Sequence, residues 1–410
     1  FALKGENFDG NDFAVAALKT GADWAVVDKV ELAENERFVF VENVLETLQK
    51  LALHHRQQLN IPVIAITGSN GKTTTKELLF SVLSQHYKTQ ATIGNLNNHI
   101  GVPLSILSIS DETDMAIIEM GANHQNEIAF LCSIVMPTHG LITNVGKAHL
   151  EGFGGFEGVK IGKGELYDHI EKTGGTIFIN GDNYHLVDMI KERKVKSLIS
   201  FGFSADNFVS GSIVNSSPFL KVAWHRQVME IDDHMHTAKS NLTGNYNFEN
   251  IMASICIGTY FKLSPNQVIK GIEVYQPANS RSQLKKTVNN TLICDYYNAN
   301  PSSMIAAIEN LQSSKNDSVA FILGDMFELG LDAEIEHVAI IKKALQLNAG
   351  RSIFIGIEFY KHKDMFENKA EFFQTTEKAS QILKSNPLSG FMILVKGSRG
   401  MKLENLVDLL

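Results

Sequence analysis

Residues 64–77 read IAITGSNGKTTTKE, an apolar run broken by a glycine-bounded loop, then a lysine, three threonines and the opening of a helical pattern. A strand, loop and helix of this kind form a phosphate cradle. Backbone N–H groups of the loop point into one concavity and the helix adds its positive end. Lys72 then reaches terminal phosphates and the Thr73 hydroxyl serves Mg²⁺. Gly68, Ser69, Asn70, Gly71, Lys72, Thr73 and Thr74 are therefore candidate ATP contacts. The usual pattern has a glycine where Ile66 stands, so the loop is a shortened form.

The rest of the chain is patterned to match. Apolar strands alternate with helical stretches from Ile61 to about 277, the signature of a mostly parallel α/β sheet, and a second series begins near 279 with TLICD, VAFILGD, SIFIG and FMILVK. Residues 1–58 form a smaller block: a strand at Phe1 to Leu3, a glycine-rich turn, a helix ending near Gly21 and a strand at Trp24 to Asp28. Between 200 and 240 the helical period is lost, which predicts an inserted hairpin or small antiparallel sheet. At 410 residues two or three domains are expected, divided as 1–58, 59–278 and 279–410. The opening Phe1 stands without a methionine and inside a predicted strand, so upstream residues are expected to be missing.

Composition excludes several classes. A net charge of −8 with scattered lysines and arginines argues against a nucleic-acid or acidic-membrane surface. Cys132, Cys256 and Cys294 stand far apart, which supports neither a zinc knuckle nor a disulfide scaffold and suits a reducing cytoplasm. No apolar run approaches the roughly 18 residues of a membrane helix, and no signal peptide is visible.

Polar residues then mark the site. In TIGNLNNHIGVPLSIL, Asn95, Asn97 and Asn98 crowd one loop, where they would bind a polar substrate or close an Asx turn. Glu119 ends a predicted strand beside the phosphate loop, the place for a Mg²⁺ ligand; a helix-start acid is the alternative. His149 follows another strand and precedes the flexible GFGG, although a lone histidine is often structural. Lys163 lies in GVKIGKGELYDHI near the start of a predicted helix, a position ordinarily given to a solvated charge. Asn247 and Asn250, three apart on one helix face, suit an adenine edge, with an N-cap as the alternative for Asn247. Arg281 lies in SRSQLKK. Asp295 ends a strand, where it would hold ribose hydroxyls or form a turn with Asn298, Asn300 and Pro301.

Taken in order, GSNGKTTTKE, GNLNNHIGVPLS, EMGANHQNEI, TNVGKAHLEGFG, KGEL, GNYNFEN, DYYNANPSSM, LGDMFELG and VKGSRGMKLE resemble the muramyl (Mur) ligase family, and FALKGENFDGNDFAVAALKTGADWAVVD resembles its uridine-nucleotide domain. The resemblance implies three domains: a partial N-terminal one for the UDP end of the substrate, a central P-loop ATPase and a C-terminal Rossmann-like domain. It implies an ATP-dependent, ADP-forming amide ligase of peptidoglycan synthesis, joining D-alanyl-D-alanine to UDP-MurNAc-tripeptide through an acyl phosphate, cytoplasmic and monomeric. By the same resemblance Lys72, His149 and Lys163 are catalytic, and Thr73 and Glu119 hold one Mg²⁺. His149 and a carbamylated Lys163 hold a second. Asn247 and Asn250 meet adenine, Arg281 an ATP phosphate and Asp295 the ribose. Asn95, Asn97, Asn98, Asn298, Asn300, Lys396, Ser398 and Arg399 are candidate substrate contacts, and Asp325 is a less specific candidate.

The chain differs from the family pattern at Tyr246, where a histidine is frequent, at Cys294, where a second aspartate is common, and at Gly162, where alanine usually precedes the modified lysine. The DSR-like uridine segment is absent. A folylpolyglutamate synthase-like ligase would share the loop and the lysine but not the FALKGENFDG block or LGDMFELG. A P-loop kinase or nucleotide switch would leave YNANP and KGSRGM unexplained. A scaffold without catalysis would not need Lys72, Glu119, His149 and Lys163 together.

Overall fold

The computed structural model describes residues 1–33, 36–227, 234–278, 281–313, 318–347, 349–366 and 368–410. The expected boundary at 278/279 runs into residues 279–280, outside the described set. Four sheets are present among the described residues, and two of them carry the architecture.

The central sheet has nine strands. It runs parallel from Thr89–Ala91 through Met115–Glu119, Val63–Thr67, His139–Ile142, Thr176–Asn180 and Ser197–Gly202 to Val209–Asn215, and ends with Lys221–Arg226 and His236–Lys239 antiparallel. Val63–Thr67, Met115–Glu119 and Thr176–Asn180 are buried at every residue, because helices cover both faces. That burial explains why these strands read as continuous apolar runs. The predicted insertion at 200–240 is instead the far edge of this same sheet.

The second sheet has six strands in the order Gln283–Lys286, Thr291–Asp295, Met392–Lys396, Val319–Gly324, Arg351–Ile355, Glu371–Phe373. All its pairings are parallel except the opening hairpin. Together with the N-terminal block this is a three-domain α/β architecture. In the N-terminal block the first strand is Lys4–Gly5, paired antiparallel with Phe8–Asp9, rather than Phe1 to Leu3. Ala2 and Leu3 are held by single backbone bonds to Val26 and Gly10, too few for a ladder. The helix Val44–Gln58 leaves this block to pack on the central unit, where Arg56 donates to the Val135 and Met136 carbonyls. Among the described residues no helix is long and apolar enough to cross a membrane.

Register positions the site. Val63–Thr67 lies between Met115–Glu119 and His139–Ile142, with Ile66 opposite both Glu119 and Leu141. The phosphate loop, Glu119 and the Thr143–Asn144 segment therefore emerge side by side at one carboxyl edge, where open parallel sheets bind ligands. In the second sheet Asp295 is level with Lys396.

Candidate active site

The carboxyl edges of the two large sheets enclose a cavity of about 1010 Å³. One wall is the phosphate loop. Gly68 has φ 142°, and a Cβ there would lie 2.1 Å from Thr143 Oγ1, so only glycine fits. Gly71, at φ 79°, lets the loop pass Asn250, whose Oδ1 would meet a Cβ at 2.5 Å. Asn144 braces the loop: its Oδ1 accepts from the Asn70 N–H at 3.0 Å and its Nδ2 donates to the Asn70 carbonyl at 3.2 Å. Helix Lys72–Leu83 follows, and Lys72 Nζ folds back to donate to the Gly68 carbonyl at 2.6 Å and the Ser69 carbonyl at 3.2 Å. Burial pushes the Lys72 amine down to about 8, with Glu119 opposing and Arg281 reinforcing the shift.

Glu119 is 1% exposed. It accepts from Thr73 Oγ1 at 2.9 Å and from Asn97 Nδ2 at 2.8 Å. A hydroxyl and a carboxylate side by side are hard oxygen donors of the kind Mg²⁺ takes, and these residues fit it. Among the described residues no group of three His, Cys, Asp or Glu side chains forms a complete cage, so further ligands would be oxygens of substrate and water.

Lys163 does not line the cavity. It sits in the middle of the helix Phe156–Thr173, not near its start, and is 2% exposed. The helix begins earlier than expected because Gly155, at φ 101°, makes the turn into it. Lys163 Nζ donates to the Ala122 carbonyl at 3.0 Å and lies 4.9 Å from the Phe153 ring centre. Burial first, then the Lys72 charge, holds its amine well below the usual lysine range. His149 does line the cavity, in left-handed backbone at φ 53°. Burial lowers its ring basicity, with the Glu328 carboxylate opposing and the Lys72 charge reinforcing the shift.

The asparagine pair opens the helix Asn247–Tyr260. Asn247 Nδ2 donates to the Thr243 carbonyl at 2.7 Å, Asn250 Nδ2 donates to Asn247 Oδ1 at 2.8 Å, and Asn250 Oδ1 accepts from Thr75 at 3.0 Å. Asn247 is thus the first helical residue and not a side-chain cap. Of the loop asparagines, Asn98 Oδ1 accepts from the Ile100 and Gly101 N–H groups, an Asx turn. Asn97 is committed to Glu119, and Asn95 lines the cavity.

The second sheet supplies the opposite wall. Asp295 accepts from Lys396 Nζ at 2.6 Å and from the Ser282 N–H at 3.2 Å. Asn298 lines the cavity, and Asn300 Nδ2 donates to Asn70 Oδ1 at 2.8 Å across it. The Arg281 guanidinium stacks 3.8 Å from the Tyr297 ring centre, with Arg399 at 5.3 Å from the same ring. Ser398 and Arg399 do not line the cavity; Ser398 Oγ accepts from the Phe327 N–H. Asp325 caps a short helix by accepting from the Glu358 and Phe359 N–H groups.

Tyr297 also lines the cavity, and nothing in its segment, where the asparagines and the carboxylate carry the turn and ligand signals, marks it in the sequence. Tyr246, where the family pattern frequently has a histidine, lines the cavity and shares a 2.6 Å hydrogen bond with Ser282.

The geometry has counterparts in known proteins. Residues 66–258 match the Mur ligase middle domain and residues 280–399 the Mur ligase, glutamate ligase domain. The chain is 33% identical over 416 residues to a UDP-N-acetylmuramoyl-tripeptide–D-alanyl-D-alanine ligase of Bacillus subtilis (strain 168), covering 99% of this chain and 88% of the relative. A crystal structure of MurF from Acinetobacter baumannii superposes with TM-score 0.88 at 31% identity, covering 100% of this chain and 89% of the other. MurF ligase from Thermotoga maritima in complex with ADP gives 0.84 at 26%, covering 100% and 92%. A likeness that runs the length of the chain, through the phosphate loop and the strand ends that face it, makes this protein a member of the Mur ligase family.

Proposed function

We propose that the chain is an ATP-dependent, ADP-forming ligase that joins D-alanyl-D-alanine to UDP-N-acetylmuramoyl-tripeptide, giving the pentapeptide precursor of peptidoglycan. The observation that carries this reading is the single cavity with the phosphate loop and Glu119 on one wall and Arg281, Asp295 and Lys396 on the other. Such a space holds ATP beside a second, anionic substrate.

A carboxylate resists an amine until one oxygen becomes a leaving group. Transfer of the γ-phosphoryl group to the tripeptide carboxylate provides it. The dipeptide amine attacks the acyl carbon through a tetrahedral intermediate, phosphate departs and the amine proton passes to solvent. In this reading Lys72 and the loop N–H groups hold the phosphates, Asn247 and Asn250 the adenine, Asp295 the ribose and Arg281 a terminal phosphate. Asn95, Asn97, Asn98, Asn298, Asn300, Lys396, Ser398 and Arg399 position the peptide substrates, Asn97 through Glu119 and Ser398 through the loop it pins. When bound, two Mg²⁺ ions, one at Thr73 and Glu119 and one at His149 and carbamylated Lys163, would neutralise charge gathering between phosphate and carboxylate.

Carbamylation joins the neutral Lys163 nitrogen to CO₂ and releases one proton. It is supported by burial of the amine against a carbonyl and an aromatic ring. Lys163→Ala should lose activity and regain part of it with short carboxylic acids; absence of rescue, with an unmodified lysine by intact-peptide mass spectrometry at native pH, would exclude the carbamate.

Residues 1–58, 59–278 and 279–410 are proposed as the UDP-substrate, ATP and ligase units of a cytoplasmic monomer. The deciding assay measures ADP release with UDP-MurNAc-tripeptides carrying lysine or diaminopimelate, with and without D-alanyl-D-alanine. Release that does not depend on the dipeptide would sink the ligase reading.

A further inference from the structure

The strand Val319–Gly324 of the second sheet ends in a loop that reaches across to the central unit, and this loop is held at successive residues. Asp325 N–H donates to the Ile355 carbonyl, Met326 N–H to His337 Nε2 at 3.1 Å and Phe327 N–H to Ser398 Oγ at 3.0 Å. Leu329 is buried, and Gly330 lies so close to Glu151 that a Cβ would meet the glutamate Cβ at 3.2 Å. Between these anchors Glu328 adopts left-handed backbone, φ 62°, without being glycine. Its carboxylate meets Nδ1 of His149, whose own backbone is left-handed at φ 53°. Left-handed non-glycine residues cost energy and persist where the surroundings over-determine them, which is common at functional sites. Here two such residues from different units face each other.

We propose that Glu328 is a positioning residue for His149, fixing the tautomer whose proton sits on Nδ1 and whose Nε2 lone pair faces the reaction cavity, and that the pair forms only when the second unit closes on the first. A carboxylate offers acceptors alone, so the Nδ1 that meets it carries the proton. An imidazole so held has its other nitrogen free for a metal, the arrangement in which a carboxylate orients a histidine ligand. The closing contacts lie beside it: Lys147 Nζ reaches Glu336 at 2.5 Å and Lys147 N–H donates to Ser302 Oγ at 2.9 Å. Ser398 thereby acquires a role different from contacting the dipeptide, since its hydroxyl pins the residue before Glu328.

The inference rests on the ligase reading for the reaction that closure serves, and two of its measurements are independent of turnover. Histidine-¹⁵N-labelled enzyme, closed by an ATP analogue in the absence of divalent metal, with the His149 signals identified by His149→Gln, reports the tautomer independently of turnover. Wild type should show Nδ1–H; Glu328→Ala should show mixed tautomers, and Glu328→Gln, whose amide oxygen still accepts, should retain the wild-type form in part. Mn²⁺ titration with ADP present should show about 10- to 100-fold weaker binding for Glu328→Ala. Melting curves check that the variants fold. An unchanged His149 tautomer together with unchanged Mn²⁺ affinity in folded Glu328→Ala overturns the proposal. A wild-type enzyme that fails to ligate D-alanyl-D-alanine would instead overturn the substrate reading and leave these two results standing.

Discussion

At the scale of single residues, burial decides what each polar group can do. Lys72 is wrapped by its own loop and placed near Glu119 and Arg281, so its charge is available to a phosphate and little else. Lys72→Ala should lower kcat about 100- to 1,000-fold with an unchanged melting profile, measured by ADP release. His139 illustrates the opposite use of burial. It begins a strand, stacks on Phe178 and touches Tyr260 and Phe261, and burial pushes it from 6.5 down to about 4. The unfolded chain then binds a proton that the folded chain refuses between these values. Stability should fall as pH drops from 6.5 towards 4, by at most roughly 1.4 kcal/mol per pH unit, and level off below. His139→Phe should flatten that part of the curve in chemical denaturation, provided other groups are compared in parallel.

Among the elements, the segment from Asp295 to Pro301 does more than its asparagines advertised. Tyr297 carries Arg281 on its ring and Arg399 nearby, while Asp295 is locked to Lys396. A guanidinium stacked on an aromatic ring gains about 0.5–2 kcal/mol and, more usefully, a fixed direction. Tyr297→Ala should raise KM for ATP roughly tenfold, and Tyr297→Phe should stay near wild type because the ring remains. Equal losses in both variants would assign the effect to the hydroxyl instead. The helix opening at Asn247 works by similar pre-organisation: a chain of amides links Thr243, Asn247, Asn250 and Thr75, holding the adenine candidates against the phosphate helix.

For the whole molecule, polar contacts around the cavity, including Asn70 with Asn300 and Lys147 with Glu336, join the central and second units beside apolar packing that is continuous between them. Substrate entry to the cavity requires the two units to move apart, and these rim contacts break as they do. Glu336 is 8% exposed at its side chain while Lys147 remains half exposed, so removing the lysine strands a nearly buried carboxylate. Lys147→Ala should shift the ligand-free population towards an open form, with a larger radius of gyration by small-angle scattering that contracts when ATP analogue and tripeptide are added. Identical profiles for both proteins in both states would argue against closure through this contact.

The fold and the nucleotide side of the site were legible because their signals are local in the chain. A phosphate loop is a contiguous string, buried parallel strands read as apolar runs, and residues just past a strand end must lie at the carboxyl edge; the placement of Lys72, Thr73, Glu119 and His149 follows from that alone. What the tertiary structure decided is everything that depends on pairing distant segments. Whether 200–240 formed its own sheet or extended the central one depended on an edge strand finding a partner, which periodicity does not encode. Lys163 looked like a surface charge with a special resemblance, and only packing against Phe153 and Ala122 buried it. The Tyr297 stack and the Glu328–His149 contact join groups far apart in sequence, brought together because two sheets turn the same edges towards one cavity. The phosphate loop therefore announced that ATP is held, and the second sheet determined what stands opposite it.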